Sequence, residues 1–134
     1  MIVVDSSVWI DYFTGKPTPA TDKLDSLLGV ERVAVGDLML AEVLQGFRIK
    51  REYRQAKRLL LSLAVLNILS IDIALQSASN YRRLRRIGVT VRQTVDTIIA
   101  TYCVEHNLAL LHSDKDFQPF HEHLKLRSAL AGPQ

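Results

Sequence analysis

Four carboxylates stand out because of where they fall in the hydrophobic pattern. Asp5 ends the apolar run 'IVVD', and Asp114 follows the run 'LALLH' after one serine. Glu42 lies between Leu38 and Gly46 in a helical stretch, and Asp96 lies in the first turn of a helix whose apolar face carries Val95, Ile98 and Ile99. Carboxylates gathered in one dry pocket raise one another's pKa and cannot all stay charged without a counter-charge. A hard divalent cation bound by oxygen ligands supplies it, and Mg²⁺ or Mn²⁺ keeps several waters while gripping a substrate phosphate. Such an ion can generate a hydroxide nucleophile and stabilise the charge that builds on a phosphodiester being cut. Metal-assisted phosphodiester hydrolysis is the chemistry these residues fit.

The elements that must bring these acids together follow from periodicity and caps. 'IVVD', 'RVAV', 'VLNILS' and 'LALLH' read as strands, each a near-continuous apolar run, and 'LKLRSAL' as an edge strand. Helices alternate with them. Ser6 and Ser7 cap 'SVWIDYF', which stops near Gly15 and Pro17, and 'ATDKLDSLLG' closes on Gly29. Asp37 caps 'DLMLAEVLQGFR', and 'KREYRQAKRLLLSLA' continues helical with a basic and a leucine face. Ser70 or Asp72 caps the helix that ends at Gly88, 'RQTVDTIIATYCVEHN' forms the next, and 'FQPFHEH' is a turn or short helix. Apolar strands alternating with helices predict an α/β fold with a parallel sheet covered on both faces. In such a sheet ligands bind beyond the carboxyl ends of the strands, where Asp5 and Asp114 fall.

Composition narrows the classes without choosing among them. The 134 residues suit one domain and no linker, followed by a disordered 'AGPQ' tail over 131–134. A net charge of +3 is too mild to name a nucleic-acid partner by itself. The single cysteine, Cys103, excludes an internal disulfide and a thiolate-rich zinc site, so a reducing, cytoplasmic setting is expected. The N-terminal apolar run is too short for a signal peptide, and no run approaches the ~20 apolar residues of a membrane span.

'VVDSSVWIDYF', 'LMLAEVLQGFR' and 'TVDTIIATYCVEHNLALLHSDKDF', in this order over essentially the whole chain, resemble a PIN-domain ribonuclease. The resemblance is closest to the toxin half of bacterial and archaeal VapBC toxin–antitoxin pairs. It implies a PIN domain over 1–130, folded as a three-layer α/β/α sandwich on a mostly parallel sheet of four or five strands. It further implies endoribonuclease activity at an Mg²⁺ or Mn²⁺ site, a homodimer, and neutralisation by a small antitoxin. Carried over residue by residue, the catalytic and metal-binding acids are Asp5, Glu42, Asp96 and Asp114, with Asp5 and Asp96 carrying the main ion. Ser6, the hydroxyl after the first acid, is implied to hold a metal-bound water or a substrate phosphate. Thr97 departs from the small apolar residue that many relatives have there.

Taken singly, each residue has a plainer reading. Asp5 could cap the first helix, Glu42 could be an exposed helix residue, and Asp96 could be a first-turn acid favoured by the helix dipole. Only the ordered set points to a metal. Ser113 and Asp116 fit a capping box, in which the serine holds the Asp116 amide and the aspartate reaches back. Asp116 then starts a helix and meets an ion only through water. Trp9, Tyr12 and Phe13 suit the core, or a groove for an antitoxin helix. Lys50, Arg51, Arg54, Lys57 and Arg58, and the cluster Arg82, Arg83, Arg85 and Arg86, suit solvated helix faces or an RNA-backbone track, the second cluster being the expected substrate contact. Cys103 reads as a small buried hydrophobe, and His106, His112, His121 and His123 stay outside the chemistry. The alternatives are a catalytically silent PIN-like module that binds RNA or protein, a phospho-receiver domain, which would want an adjacent acidic pair where this chain has 'DSS', and a DNA nuclease with the same metal chemistry.

Overall fold

The structure, a computed structural model, describes residues 1–130; the expected tail over 131–134 lies outside them. Five strands, β1 (Ile2–Val4), β2 (Val33–Gly36), β3 (Ala64–Leu66), β4 (Ala109–Leu111) and β5 (Arg127–Ser128), form one sheet. All pairings are parallel, and the spatial order is β3-β2-β1-β4-β5. Val3, Val4, Ala34, Val35, Leu110 and Leu111 are fully buried, which is why the strand sequences run apolar without alternation: both faces of the sheet are covered. The cover is α1 (Ser6–Thr14), α2 (Pro19–Leu27), α3 (Asp37–Leu44) and α4 (Lys50–Leu61), then α5 (Ile71–Arg86), α6 (Thr94–Glu105) and α7 (Gln118–Leu124). Helix α1 packs on α2 and α3, and α3 on α4, whereas α5 packs on α6 and α7. The expected α/β/α sandwich is the fold observed.

The strand order sets the position of the site. The chain walks outward from β1 through β2 to β3, then returns across the sheet to β4 and β5, so the direction reverses between β1 and β4. At that reversal the loops leaving the two central strands turn apart and open a crevice. Asp5 leaves β1 there with its amide donating to the Leu111 carbonyl of β4 at 2.9 Å. Asp114 stands three residues beyond the end of β4.

Several local expectations change in physically clear ways. Asp5 itself caps α1, accepting from the Ser7 amide, where Ser6 or Ser7 was expected to cap. Gly36, not Asp37, is the N-cap residue of α3; a Cβ on Gly36 would lie 2.6 Å from Ile68 Cγ1, so only glycine fits this approach. Asp37 Oδ1 instead accepts from the Leu38 amide at 2.8 Å and the Ile68 amide at 3.0 Å. That second bond takes the Ile68 N–H away from the sheet, and β3 covers Ala64–Leu66 rather than the whole of 'VLNILS'. Helix α3 stops at Leu44, short of the expected Arg48. Ser70 caps α5 by accepting from the Ile73 amide, and Gly88, at φ 84°, lies in the left-handed region just beyond its C-cap residue Ile87.

Candidate active site

Each acid reaches the crevice through a different local device. Asp5, only 5% exposed, has Oδ2 occupied by the Ser7 hydroxyl at 2.7 Å and the Ser7 amide at 3.4 Å. Burial raises its pKa, the hydrogen bonds from Ser7 and Ser6 oppose the rise, and the Asp114 charge adds to it. Ser6 is buried and its hydroxyl donates to Glu42 Oε1 at 3.4 Å, linking the end of β1 to α3. Glu42 is exposed on α3, and the partial withdrawal of its carboxylate from water, then the Asp5 charge, raises its pKa, with the Ser6 hydroxyl opposing.

Asp96, half-buried in the first turn of α6, is the electrostatic centre of the group. Its pKa is pushed up to about 7, first by burial and then by the charges of Asp5, Asp114, Asp116 and Glu42. The helix dipole, which favours an anion at this position, does not offset that crowding. Oxygens of Asp96, Asp114 and Asp116, one from each, lie within 4.8 Å of one another. Asp114 Oδ1 accepts from the Asp116 amide at 2.9 Å and so caps the 3-10 turn Lys115–Phe117. The expected capping box is therefore corrected: Asp114, not Ser113, holds the Asp116 amide. Asp116, expected to meet an ion only through water, has a carboxylate oxygen within 4.8 Å of oxygens of Asp96 and Asp114, beside the cluster.

Sequence reasoning reached all five of these acids and Ser6, but not the supports around them. Ser7 was read as a cap; its service to Asp5 was legible in the Asp-Ser-Ser order, since an aspartate readily accepts from the residue two places on. The two imidazoles beside Asp114 were set aside. His112 Nδ1 lies 3.2 Å from the Asp114 amide, and His112 Nε2 lies 2.7 Å from His121 Nε2. Burial and the neighbouring His121 lower the His112 pKa to about 4, with Asp114 opposing. The residue pattern carries no signal for this pair, because it depends on how α7 folds back onto β4.

The remaining candidates separate by position. Arg82 and Arg85 border a groove of about 390 Å³ between α5 and the start of α6, with Tyr81, Thr94 and Ile98. The Arg85 guanidinium lies 5.7 Å from the Tyr81 ring centroid. Arg83 borders a different cavity with His123 and Lys125, so the four-arginine cluster is not one surface. Lys50, Arg51, Arg54, Lys57 and Arg58 are all exposed on α4. Trp9 is fully buried and stacks on Phe13 at 5.8 Å, while Phe13 also borders a cavity of about 130 Å³ with Ile10, Val43 and Phe47. Cys103 is buried as expected, and burial pushes its thiol up to about 12. Thr97, at the position that departs from many relatives, is buried with its hydroxyl 3.5 Å from the Gln93 carbonyl.

Among the described residues, no lysine or arginine forms an ion pair with any carboxylate; the one pair found is His123 with Glu122 at 3.7 Å. The crevice is thus a hard, all-oxygen donor set without an internal counter-charge, and these residues fit a hard divalent cation. Fold and site together define an α/β/α protein with an acidic crevice at its topological switch point. The PIN domain family matches residues 2–121, and the chain belongs to that family. It is 32% identical over 119 residues to the VapC ribonuclease Mb1587 of Mycobacterium bovis and to ribonuclease VapC11 of Mycobacterium tuberculosis, covering 87% of this chain and 89% of each relative. In fold it is similar to VapBC2 from Rickettsia felis bound to a promoter DNA fragment, with a TM-score of 0.73 at 18% identity, covering 96% of this chain and 97% of that one. It is likewise similar to VapBC-1 from nontypeable Haemophilus influenzae, with a TM-score of 0.70 at 22% identity and 96% of each chain covered.

Proposed function

We propose that this chain is a metal-dependent endoribonuclease that hydrolyses RNA phosphodiester bonds, the toxin of a VapBC pair held in check by a cognate antitoxin. The observation that carries the reading is the unneutralised carboxylate cluster around Asp96, in a chain whose 32%-identical relatives are named ribonucleases. Asp5, Glu42, Asp96 and Asp114 would hold Mg²⁺ or Mn²⁺, with Asp5 and Asp96 carrying the main ion and Asp116 beside them, an oxygen of each of Asp96, Asp114 and Asp116 lying within 4.8 Å of the others. The ion supplies charge neutralisation, activation of water and polarisation of a phosphodiester oxygen. The protein's own part is positional. Ser7 engages one Asp5 oxygen, Ser6 ties Glu42 to the end of β1, and the Asp116 amide engages one oxygen of Asp114. With the relevant oxygens held in advance, little ordering remains when an ion and a phosphate arrive.

Arg82 and Arg85 would follow the RNA backbone along the groove that begins at the first turn of α6, whereas Arg83 and Arg86 contribute only to the general positive field. The antitoxin reading draws on the cavity beside Phe13 and Phe47, whose rings lie 5.8 Å apart, since an amphipathic helix needs an apolar groove of this kind. A homodimer is supported by exposed apolar side chains on α5, Ile71 at 79% and Leu75 at 67% exposure, which a second copy would cover. A cytoplasmic setting accords with the lone free cysteine. No helix among the described residues is long and apolar enough to cross a membrane.

The test is cleavage of RNA by the purified protein with Mg²⁺, with Mn²⁺ and with EDTA. Cleavage that requires the ion and disappears in the Asp96→Asn protein is expected. Cleavage that survives EDTA, or full activity of the Asp96→Asn protein, would refute the reading.

A further inference from the structure

Two imidazoles lie against the crevice and have no part in the chemistry above. His112 leaves β4 two residues before Asp114, and His121 stands in α7; their rings meet edge to edge, with centroids 5.0 Å and planes 21° apart. The buried Phe117 ring tilts against His112 at 4.7 Å. The ends of this arrangement fix its hydrogen-bond directions. An amide N–H can only donate, so His112 Nδ1, 3.2 Å from the Asp114 amide, is the bare nitrogen and the His112 proton sits on Nε2. A carbonyl can only accept, so His121 Nδ1, 2.8 Å from the Leu126 oxygen, carries the proton and its Nε2 is bare. The His112 Nε2–H therefore meets the His121 Nε2 lone pair across 2.7 Å. Three bonds run in one direction from the Asp114 amide to the Leu126 carbonyl, each with one donor and one acceptor.

That chain ends on a residue whose own atoms are already committed. Asp114 Oδ1 is taken by the Asp116 amide, so the backbone of Asp114 can shift only by breaking one bond or the other. We propose that His121, acting through His112, is a positioning residue: it holds His112 in the tautomer that accepts the Asp114 amide, and so sets where the Asp114 carboxylate stands for a divalent cation. The proposal rests on the cation-site reading given above. Partners one step removed from a ligand orient it, and their loss typically weakens metal affinity by about 10–100-fold.

The experiment is calorimetric titration of Mn²⁺ into the purified wild type and two His121 variants, with thermal melting to check folding. Glutamine puts an amide oxygen where Nε2 stood and keeps the acceptor for His112, whereas asparagine puts an amide nitrogen where Nδ1 stood and keeps only the donor to Leu126. The proposal predicts that His121→Asn loses about 10–100-fold in Mn²⁺ affinity and that His121→Gln recovers most of it. A purely structural tie between α7 and β5 predicts the reverse order, and that result, or equal affinity in both variants, would overturn the proposal. A second pair reads the same chain from its other end. His112→Asn, whose amide oxygen replaces Nδ1, should retain affinity, and His112→Leu should lose it; equal affinity here also overturns the proposal. If the wild type itself takes up no Mn²⁺, the cation site fails rather than its support.

Discussion

The two strand ends that flank the crevice solve one problem with different parts. At the end of β1, Asp5 is buried and held from within its own turn by the hydroxyl and amide of Ser7, at the start of a nine-residue helix. At the end of β4, Asp114 is half-buried and held by the Asp116 amide and by His112, ahead of a three-residue 3-10 turn. Both acids give one oxygen to a helix start. The β1 end needs only three consecutive residues, whereas the β4 end depends on α7 and the carbonyl of Leu126. The local device is therefore the robust one, and the long-range device is where the cluster is open to perturbation.

The largest effect is expected at the acid between these two ends. Asp96→Asn should lower cleavage by more than about 100-fold, beyond the range typical of residues one step removed from a metal ligand. It should also raise the melting temperature of the metal-free protein at neutral pH, because an uncompensated charge is removed. Lost activity with raised stability would separate a site residue from a core residue. Leu111→Ala, in the fully buried last position of β4, should do the opposite: a loss of about 2–5 kcal/mol of stability by denaturant unfolding.

The pH dependence follows from Asp96 as well. Its pKa rises from 3.8 unfolded to about 7 folded, so the folded state holds the proton more tightly. The metal-free protein should then lose stability as pH climbs from about 4 to about 7, with no further loss from this group above that. A bound cation favours the ionised form, so Mn²⁺ uptake should release protons, and apparent affinity should strengthen over the same window. Thermal melts with and without Mn²⁺ across that range measure both signs.

Smaller effects separate the two ends further. Ser7→Ala removes the 2.7 Å hydroxyl bond to Asp5 but leaves the amide bond, so a loss toward the low end of about 10–100-fold in Mn²⁺ affinity is expected, with little change in melting temperature. The smallest effect is expected in the arginines. Arg82→Ala and Arg85→Ala should each raise KM for RNA and flatten its salt dependence by roughly one ion for each phosphate no longer neutralised, while Arg86→Ala changes it less.

What the sequence made legible tracks how locally each feature is encoded. The buried strands were readable because a sheet covered on both faces demands unbroken apolar runs, and Ser70 and Gly88 marked the limits of α5 by cap chemistry. The acids were readable as an ordered set, with Asp5 and Asp114 falling where a parallel sheet binds ligands. The length of β3 was not, because it is cut short by Asp37 bonding to an amide 31 residues away. The cap of the 3-10 turn was not legible for a related reason: Ser113 and Asp114 are both able acceptors for the Asp116 amide, and only the folded turn selects Asp114. The imidazole pair was invisible because nine residues separate its members and only the packing of α7 unites them.

Everything proposed for the chemistry turns on the carboxylates at the switch point holding a divalent cation on which RNA cleavage depends. The most direct measurement is Mn²⁺ titration of the wild type and the Asp96→Asn protein at neutral pH, with RNA cleavage followed at each Mn²⁺ concentration. Saturable binding by the wild type, cleavage that rises with occupancy, and loss of both in the variant are predicted. Cleavage that is independent of Mn²⁺ occupancy, or binding unchanged by Asp96→Asn, would contradict this.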